Sequence, residues 1–162
     1  MPRKPKIPAA DRTPLARLSE GAMHAIVGYQ LAQATIVTDQ VFDERAGAGA
    51  GLRRVEFTLL ALVQANPGVT ARQVARALAV TPPNVAVWLD RLESRGLVAR
   101  TRSQSDARMQ HITLTRAGGV LVDRSMQQLV EGEAAALAAL SPAERAMLVE
   151  LLHKVALARR KD

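Results

Sequence analysis

The chain has 162 residues, no cysteine, and only four aromatic side chains: Tyr29, Phe42, Phe57 and Trp88. Without cysteine there is no disulfide framework, no thiolate metal site and no switch based on thiol oxidation. Four aromatics cannot furnish the stacking platforms on which single-stranded nucleic acids are usually bound. No apolar run approaches the ~20 residues that cross a bilayer. The opening MPRKPKIPAADRTP is basic but leads into no apolar stretch, which argues against a secretory signal and for a cytoplasmic protein. Catalytic patterns are missing too. His24, His111 and His153 stand apart, with no HExxH, GxSxG or GK[ST] near them, so the expectation is no enzyme, no metal and no cofactor. His111 reads as a packed or surface residue rather than a ligand.

Lysine is scarce where arginine is not. Of 22 basic residues, 18 are Arg, and the formal net charge is +7. An excess of that sign favours a polyanionic partner, with duplex nucleic acid first in line. The 29 alanines, together with many leucines, favour helix.

Residues 1–12 hold Arg3, Lys4, Lys6 and Arg12 among three prolines and read as a flexible basic tail. The remainder, 13–162, reads as a single domain. Thr13-Pro14 looks like an N-cap followed by proline at the first helical position, predicting a helix from Pro14 to about Glu44. Such a helix is ~45 Å long, more than one small core covers. Gly47-Ala48-Gly49-Ala50-Gly51 ends it as a flexible connection; it lacks the third glycine of GxGxxG and no strand precedes it. Arg54 to Ala65 is the next helix, stopped by Asn66-Pro67-Gly68. Thr70-Ala71-Arg72-Gln73 is a capping-box pattern opening a short helix. Thr81-Pro82 starts another, which runs through Arg95 to Gly96. Only Ala79-Val80-Thr81 separates these two, so they must cross steeply as a helix-turn-helix.

The period then changes from helical to alternating. Leu97–Arg102 and Gln110–Leu114 read as two strands around a polar turn, a hairpin wing. Thr115 caps a helix to about Leu140. Ser141-Pro142-Ala143-Glu144 caps a last one to about Arg160, with Leu148, Leu151, Leu152 and Val155 on one side. The fold class is therefore mainly α with a small β-hairpin wing. A winged helix-turn-helix core at about 52–116 lies between long terminal helices at about 13–45 and 116–160. Apolar faces on those terminal helices call for a second copy, that is, a homodimer.

Leu92-Glu93-Ser94-Arg95-Gly96-Leu97-Val98, followed by Asp106-Ala107-Arg108 and by Leu114-Thr115-Arg116-Ala117-Gly118, resembles the signature of the multiple antibiotic resistance regulator (MarR) family. The resemblance covers roughly residues 15–158. It implies a dimeric winged-helix transcriptional regulator, a repressor that leaves its pseudo-palindromic operator when a small molecule binds. It also implies that the terminal helices form the dimer interface. Carried over residue by residue, it makes Arg108 a DNA-contacting arginine and Asp106 the residue that holds the shape of the wing.

The residues themselves add candidates. Arg100 and Arg102 lie on or beside the hairpin, within reach of a minor groove or its phosphates. Arg95, Arg100, Arg102, Arg108 and Arg116 face a single acid, Asp106, between residues 94 and 116. On the reading helix, Pro83, Asn84, Ala86, Val87 and Trp88 read as the outward positions, and Thr81 at its start is a further DNA-binding candidate. Asn84 has the groups to pair with adenine, and Ala86 or Val87 can touch a thymine methyl. Arg91 suits a phosphate, and Trp88 suits packing. Thr70, Arg72 and Gln73 open the first helix of the motif and suit phosphate, although capping alone explains Thr70 and Gln73. The family resemblance, rather than the residues, implies an effector pocket between the dimer helices and the winged-helix lobe, for a small aromatic acid or a related compound, with Tyr29, Gln33 and Phe57 as candidate contacts; ordinary core packing explains Tyr29 and Phe57 equally well. The rival class is a winged-helix protein–protein module with weak or no DNA binding, favoured by the apolar reading helix.

Overall fold

A computed structural model describes residues 11–102 and 110–159, and the chain divides after Gln40 into two units. Most of the expected basic tail, and the wing residues Asp106 and Arg108, lie outside the described residues.

In the first unit the Thr13-Pro14 signal does not start a helix. The Thr13 hydroxyl accepts the Leu18 N–H at 3.0 Å, and the Thr13 N–H donates to the Leu18 carbonyl at 2.9 Å. Ala16 and Arg17 turn through the left-handed region to close this loop, at φ 60° and 51°. The threonine thus satisfies a turn rather than a helix terminus. A 3-10 turn, Gly21–Ala25, follows, and extended backbone at Ile26 separates it from helix α1 (Val27–Phe42). Glu20 organises the turn. Its carboxylate accepts hydrogen bonds from His24 Nδ1–H at 2.7 Å and from the Tyr29 hydroxyl at 3.2 Å, and these bonds hold its carboxyl below the ordinary range, the one from His24 also raising the imidazole.

From Val41 the second unit continues through a π-helical turn, Asp43–Gly47, and a short α2 (Ala48–Ala50), ending at Gly51 with φ 59°. The glycine-rich stretch is therefore helical, not a loose connection. Gly47 lies under the Phe42 ring, where a Cβ would meet Cε1 at 2.9 Å. Gly132 opposite lets the Val41 and Arg45 side chains close in. These glycines serve close packing rather than flexibility.

Helix α3 (Arg54–Ala65) is capped by the Arg53–Glu56 pair and buries Phe57, Leu59, Leu60 and Val63. β1 (Val69–Thr70) leads into α4 (Ala71–Leu78), whose Thr70–Gln73 capping box forms as the sequence predicts. α5 (Pro82–Ser94) buries Val85, Leu89 and Leu92, with Trp88 half-buried against the same core. β2 (Val98–Arg102) and β3 (Gln110–Leu114) form the wing. β1 adds to them as a third strand the sequence reading missed, giving the order β1-β3-β2, all antiparallel, with Val69 opposite Ile112 and Arg100 opposite Ile112 on the other side. Two residues are too few for an alternating pattern to show. α6 (Arg116–Ala136) and α7 (Pro142–Leu157) end a few residues earlier than expected. Ser141 and Glu144 form the predicted capping box.

The turn between α4 and α5 is held in place by Ala79 in the left-handed conformation, φ 54°, at an exposed position. A Cβ there costs on the order of 1 kcal/mol that glycine does not incur. Ala79→Gly is expected to stabilise the unit by about 0.5–1 kcal/mol, read as a higher urea midpoint at constant m. An unchanged or lower midpoint would show that this turn carries no strain.

Candidate nucleic-acid interface

Two helix N-termini carry most of the predicted DNA contacts, exposed except for the half-buried Thr70. At α4, the Thr70 N–H donates to Gln73 Oε1 at 2.9 Å, and the Gln73 N–H donates back to Thr70 Oγ1 at 3.3 Å. Capping therefore occupies both side chains, while Arg72 beside them is exposed. At α5, Thr81, Pro83, Asn84 and Val87 are all exposed, and Val87 is 66% so. This half of α5 is uncharged: its first acid is Asp90 and its first base Arg91. An exposed uncharged helix face with one amide and one branched apolar tip suits base edges and methyl groups rather than phosphates.

The arginines divide into groups that their even spread in sequence does not distinguish. Arg102 is exposed at the end of β2. Arg95 is spent on the fold: it donates to the Gly51 carbonyl at 2.9 Å and the Ala50 carbonyl at 2.7 Å, tying the end of α5 to the end of α2. Arg91 lies 3.3 Å from Glu56 Oε1, a carboxylate with no exposed surface. Arg100 bonds to Asp90 and to Glu93 and is only 23% exposed. Its hydrogen bonds hold the Glu93 carboxyl below the ordinary range, and the two acids raise Arg100 itself. Glu56, Asp90 and Glu93 were not among the predicted residues. The available signal was the spacing of Asp90 and Glu93, two acids on one face of a helix at i, i+3, just ahead of an arginine-rich hairpin.

The other candidates belong to different units. Tyr29 and Gln33 are half-buried in the first unit, with the Tyr29 hydroxyl on Glu20. Phe57 is core in the second unit, its ring 5.8 Å from that of Phe42. His111 packs as expected, its Nδ1–H donating to the Gly68 carbonyl at 2.7 Å. A groove of about 610 Å³ lined by Leu97, Arg116, Ala117, Val120, Leu121 and Arg124 includes none of the predicted residues. Among the described residues no group of three His, Asp or Glu side chains could hold a metal ion. No helix among them is long and apolar enough to cross a membrane.

Residues 50–109 match the MarR family. The HTH-type transcriptional repressor Rv2887 of Mycobacterium tuberculosis is 32% identical over 105 residues, covering 65% of this chain and 76% of that protein. Among solved structures, the repressor CouR bound to a 23-mer DNA duplex is 31% identical with a TM-score of 0.79, covering 86% of this chain and 98% of that one. CouR from Rhodococcus jostii bound to p-coumaroyl-CoA is 25% identical with a TM-score of 0.74, over 88% and 99% of the two chains.

Proposed function

Since the chain belongs to the MarR family, we propose that it is a homodimeric, sequence-specific repressor that binds duplex DNA and is released by a small-molecule effector. The observation that carries this reading is the exposed, uncharged N-terminal half of α5, from Thr81 to Val87, presented by a helix-turn-helix whose other face is fully committed to the core. A surface of this kind is stable in water yet shaped to enter a major groove, while the positive charge beside it supplies phosphate contacts. Exposed Leu148, Leu151, Leu152 and Val155 on α7 are the surface that a second copy would cover. Two copies would present two reading helices to half-sites about 10 bp apart, one helical turn.

Base readout falls to Asn84 and Val87, phosphate or minor-groove contact to Arg72, Arg102 and Arg108, and the shape of the wing to Asp106. The effector class is a small aromatic acid or its thioester, by likeness to a relative that holds p-coumaroyl-CoA. Tyr29 and Gln33, only partly covered, are its proposed contacts; Phe57 is engaged in the core.

Selection of bound duplexes from a random pool tests the reading directly. A recovered pseudo-palindrome is expected; recovery of no preferred sequence at low salt would favour instead the protein–protein module, for which the exposed Val87 speaks. On the recovered duplex, Asn84→Ala is expected to relax preference at one position per half-site by about 1–3 kcal/mol. Arg102→Ala should instead weaken all duplexes alike and reduce the slope of log K against log salt by about one per protomer. Unchanged profiles would remove each residue from its role.

A further inference from the structure

The arginine count of the wing overstates the charge it can offer a duplex, because one of its members is fully employed elsewhere. Arg100 stands on β2 with its Nε donating to Glu93 Oε2 at 3.0 Å. Its Nη2 donates to the same carboxylate and, at 2.7 Å, to Asp90 Oδ1. Asp90 and Glu93 lie one turn apart on the C-terminal half of α5. A single guanidinium thus spans two carboxylates on one helix and ties them to one strand. Asp90 is 65% exposed and would be free to hydrate, yet it is drawn into this contact. The three groups together carry one net negative charge, the wrong sign for a phosphate contact.

We propose that Arg100 is a positioning residue: by clamping β2 to the C-terminal half of α5 through Asp90 and Glu93, it fixes the angle between the wing and the reading helix, and it does not itself meet nucleic acid. The inference rests on the proposed duplex binding and deepens it. A winged helix must seat its helix in one groove and its wing in the next. If the angle between them is fixed beforehand, both contacts form together; if it is loose, ordering it on binding detracts from the affinity. The correct duplex, which needs both contacts in register, suffers most from the loss. A guanidinium suits the task because its planar fork can donate to two acceptors at set angles, which an ammonium on a flexible stem cannot.

The test separates this role from a phosphate contact by reversing the expected sign. Asp90→Asn with Glu93→Gln removes two negative charges while keeping shape, so simple electrostatics predicts tighter binding to every duplex. The clamp predicts that affinity for the selected duplex falls by about tenfold or more, while affinity for a scrambled duplex does not weaken. Arg100→Lys keeps the charge but should lose most of the same discrimination, with the salt slope unchanged. Amide hydrogen exchange without DNA gives an independent readout: β2 amides should exchange faster in these variants while α3 amides do not. Unchanged β2 exchange would overturn the clamp whatever the DNA result. Arg100→Ala weakening selected and scrambled duplexes equally, with a slope lower by about one per protomer, would return Arg100 to the phosphate contacts. If β2 exchange rises but the native protein prefers no duplex, the clamp stands and the proposed function falls.

Discussion

Gly118→Ala is expected to cost the winged-helix unit about 3 kcal/mol or more, a large share of the 5–15 kcal/mol typical of a whole domain. The reason is a contact with backbone rather than with a side chain that could move aside. A Cβ on Gly118 would lie 2.0 Å from the Leu97 carbonyl oxygen and 3.0 Å from its carbon. The same oxygen accepts the Thr115 N–H at 3.1 Å, and the Thr115 hydroxyl donates to the neighbouring Gly96 carbonyl at 2.7 Å. Relieving the clash means moving the first turn of α6 away from the α5–β2 junction and breaking both bonds. The adjacent glycine is the control. A Cβ on Gly119 meets nothing within 4 Å, so Gly119→Ala should be neutral or stabilising by up to about 1 kcal/mol through helix propensity. Urea denaturation of the two variants should show opposite shifts. A Gly118→Ala loss below 1 kcal/mol would mean that α6 is free to slide.

This contact also explains part of what could be read in the sequence. The Leu-Thr-x-x-Gly pattern at Leu114–Gly118 marks the family, and its physical basis is a threonine N-cap whose hydroxyl accepts the Gly118 N–H at 3.0 Å, followed by a helix pressed onto a strand. α4, where a capping box and a buried stripe agree, was legible in the sequence; α3 and α5 read from their apolar stripes, the two long wing strands from their alternation, and α6 and α7 from their caps, although α7 buries none of its residues. The Thr13-Pro14 segment was not, because a threonine hydroxyl accepts an N–H in a closed turn as well as at a helix start. Nor was the glycine-rich stretch, where glycine at a crowded contact and glycine in a linker leave the same mark.

Charge was the least legible property. Composition gave the sign of the partner, but spacing could not say which arginines are available. Arg95, Arg100 and Arg102 lie within eight residues, yet one holds backbone carbonyls, one bridges two acids, and one is exposed. Which is which depends on Ala50 and Gly51, distant in sequence, and on acids that read as ordinary surface charge.

Arg91 follows the same logic, and its replacement is the other large effect expected. Glu56 has no exposed surface. Its Oε2 accepts the Arg53 N–H at 2.9 Å at the start of α3, while among the described residues its Oε1 makes no hydrogen bond and faces the Arg91 guanidinium at 3.3 Å. Removing one partner of a buried ion pair typically costs about 3–5 kcal/mol, because the other charge stays out of water uncompensated. The two sides of this pair are unequal. Arg91 is 45% exposed and can turn to solvent if the acid goes; Glu56 has no such escape. Arg91→Ala should therefore cost about 3 kcal/mol. Glu56→Gln should cost clearly less, since the amide oxygen can still accept the Arg53 N–H and leaves no buried charge. The double variant should recover much of the Arg91→Ala loss, a coupling of about 1–3 kcal/mol in a double-mutant cycle. If Arg91 instead served mainly as a phosphate contact, Arg91→Ala would change stability by under about 0.5 kcal/mol, as surface substitutions do, and lower the salt slope by about one per protomer. Because α5 carries both Arg91 and the reading residues Asn84 and Val87, the buried acid on α3 then sets how firmly the reading helix is seated on its core.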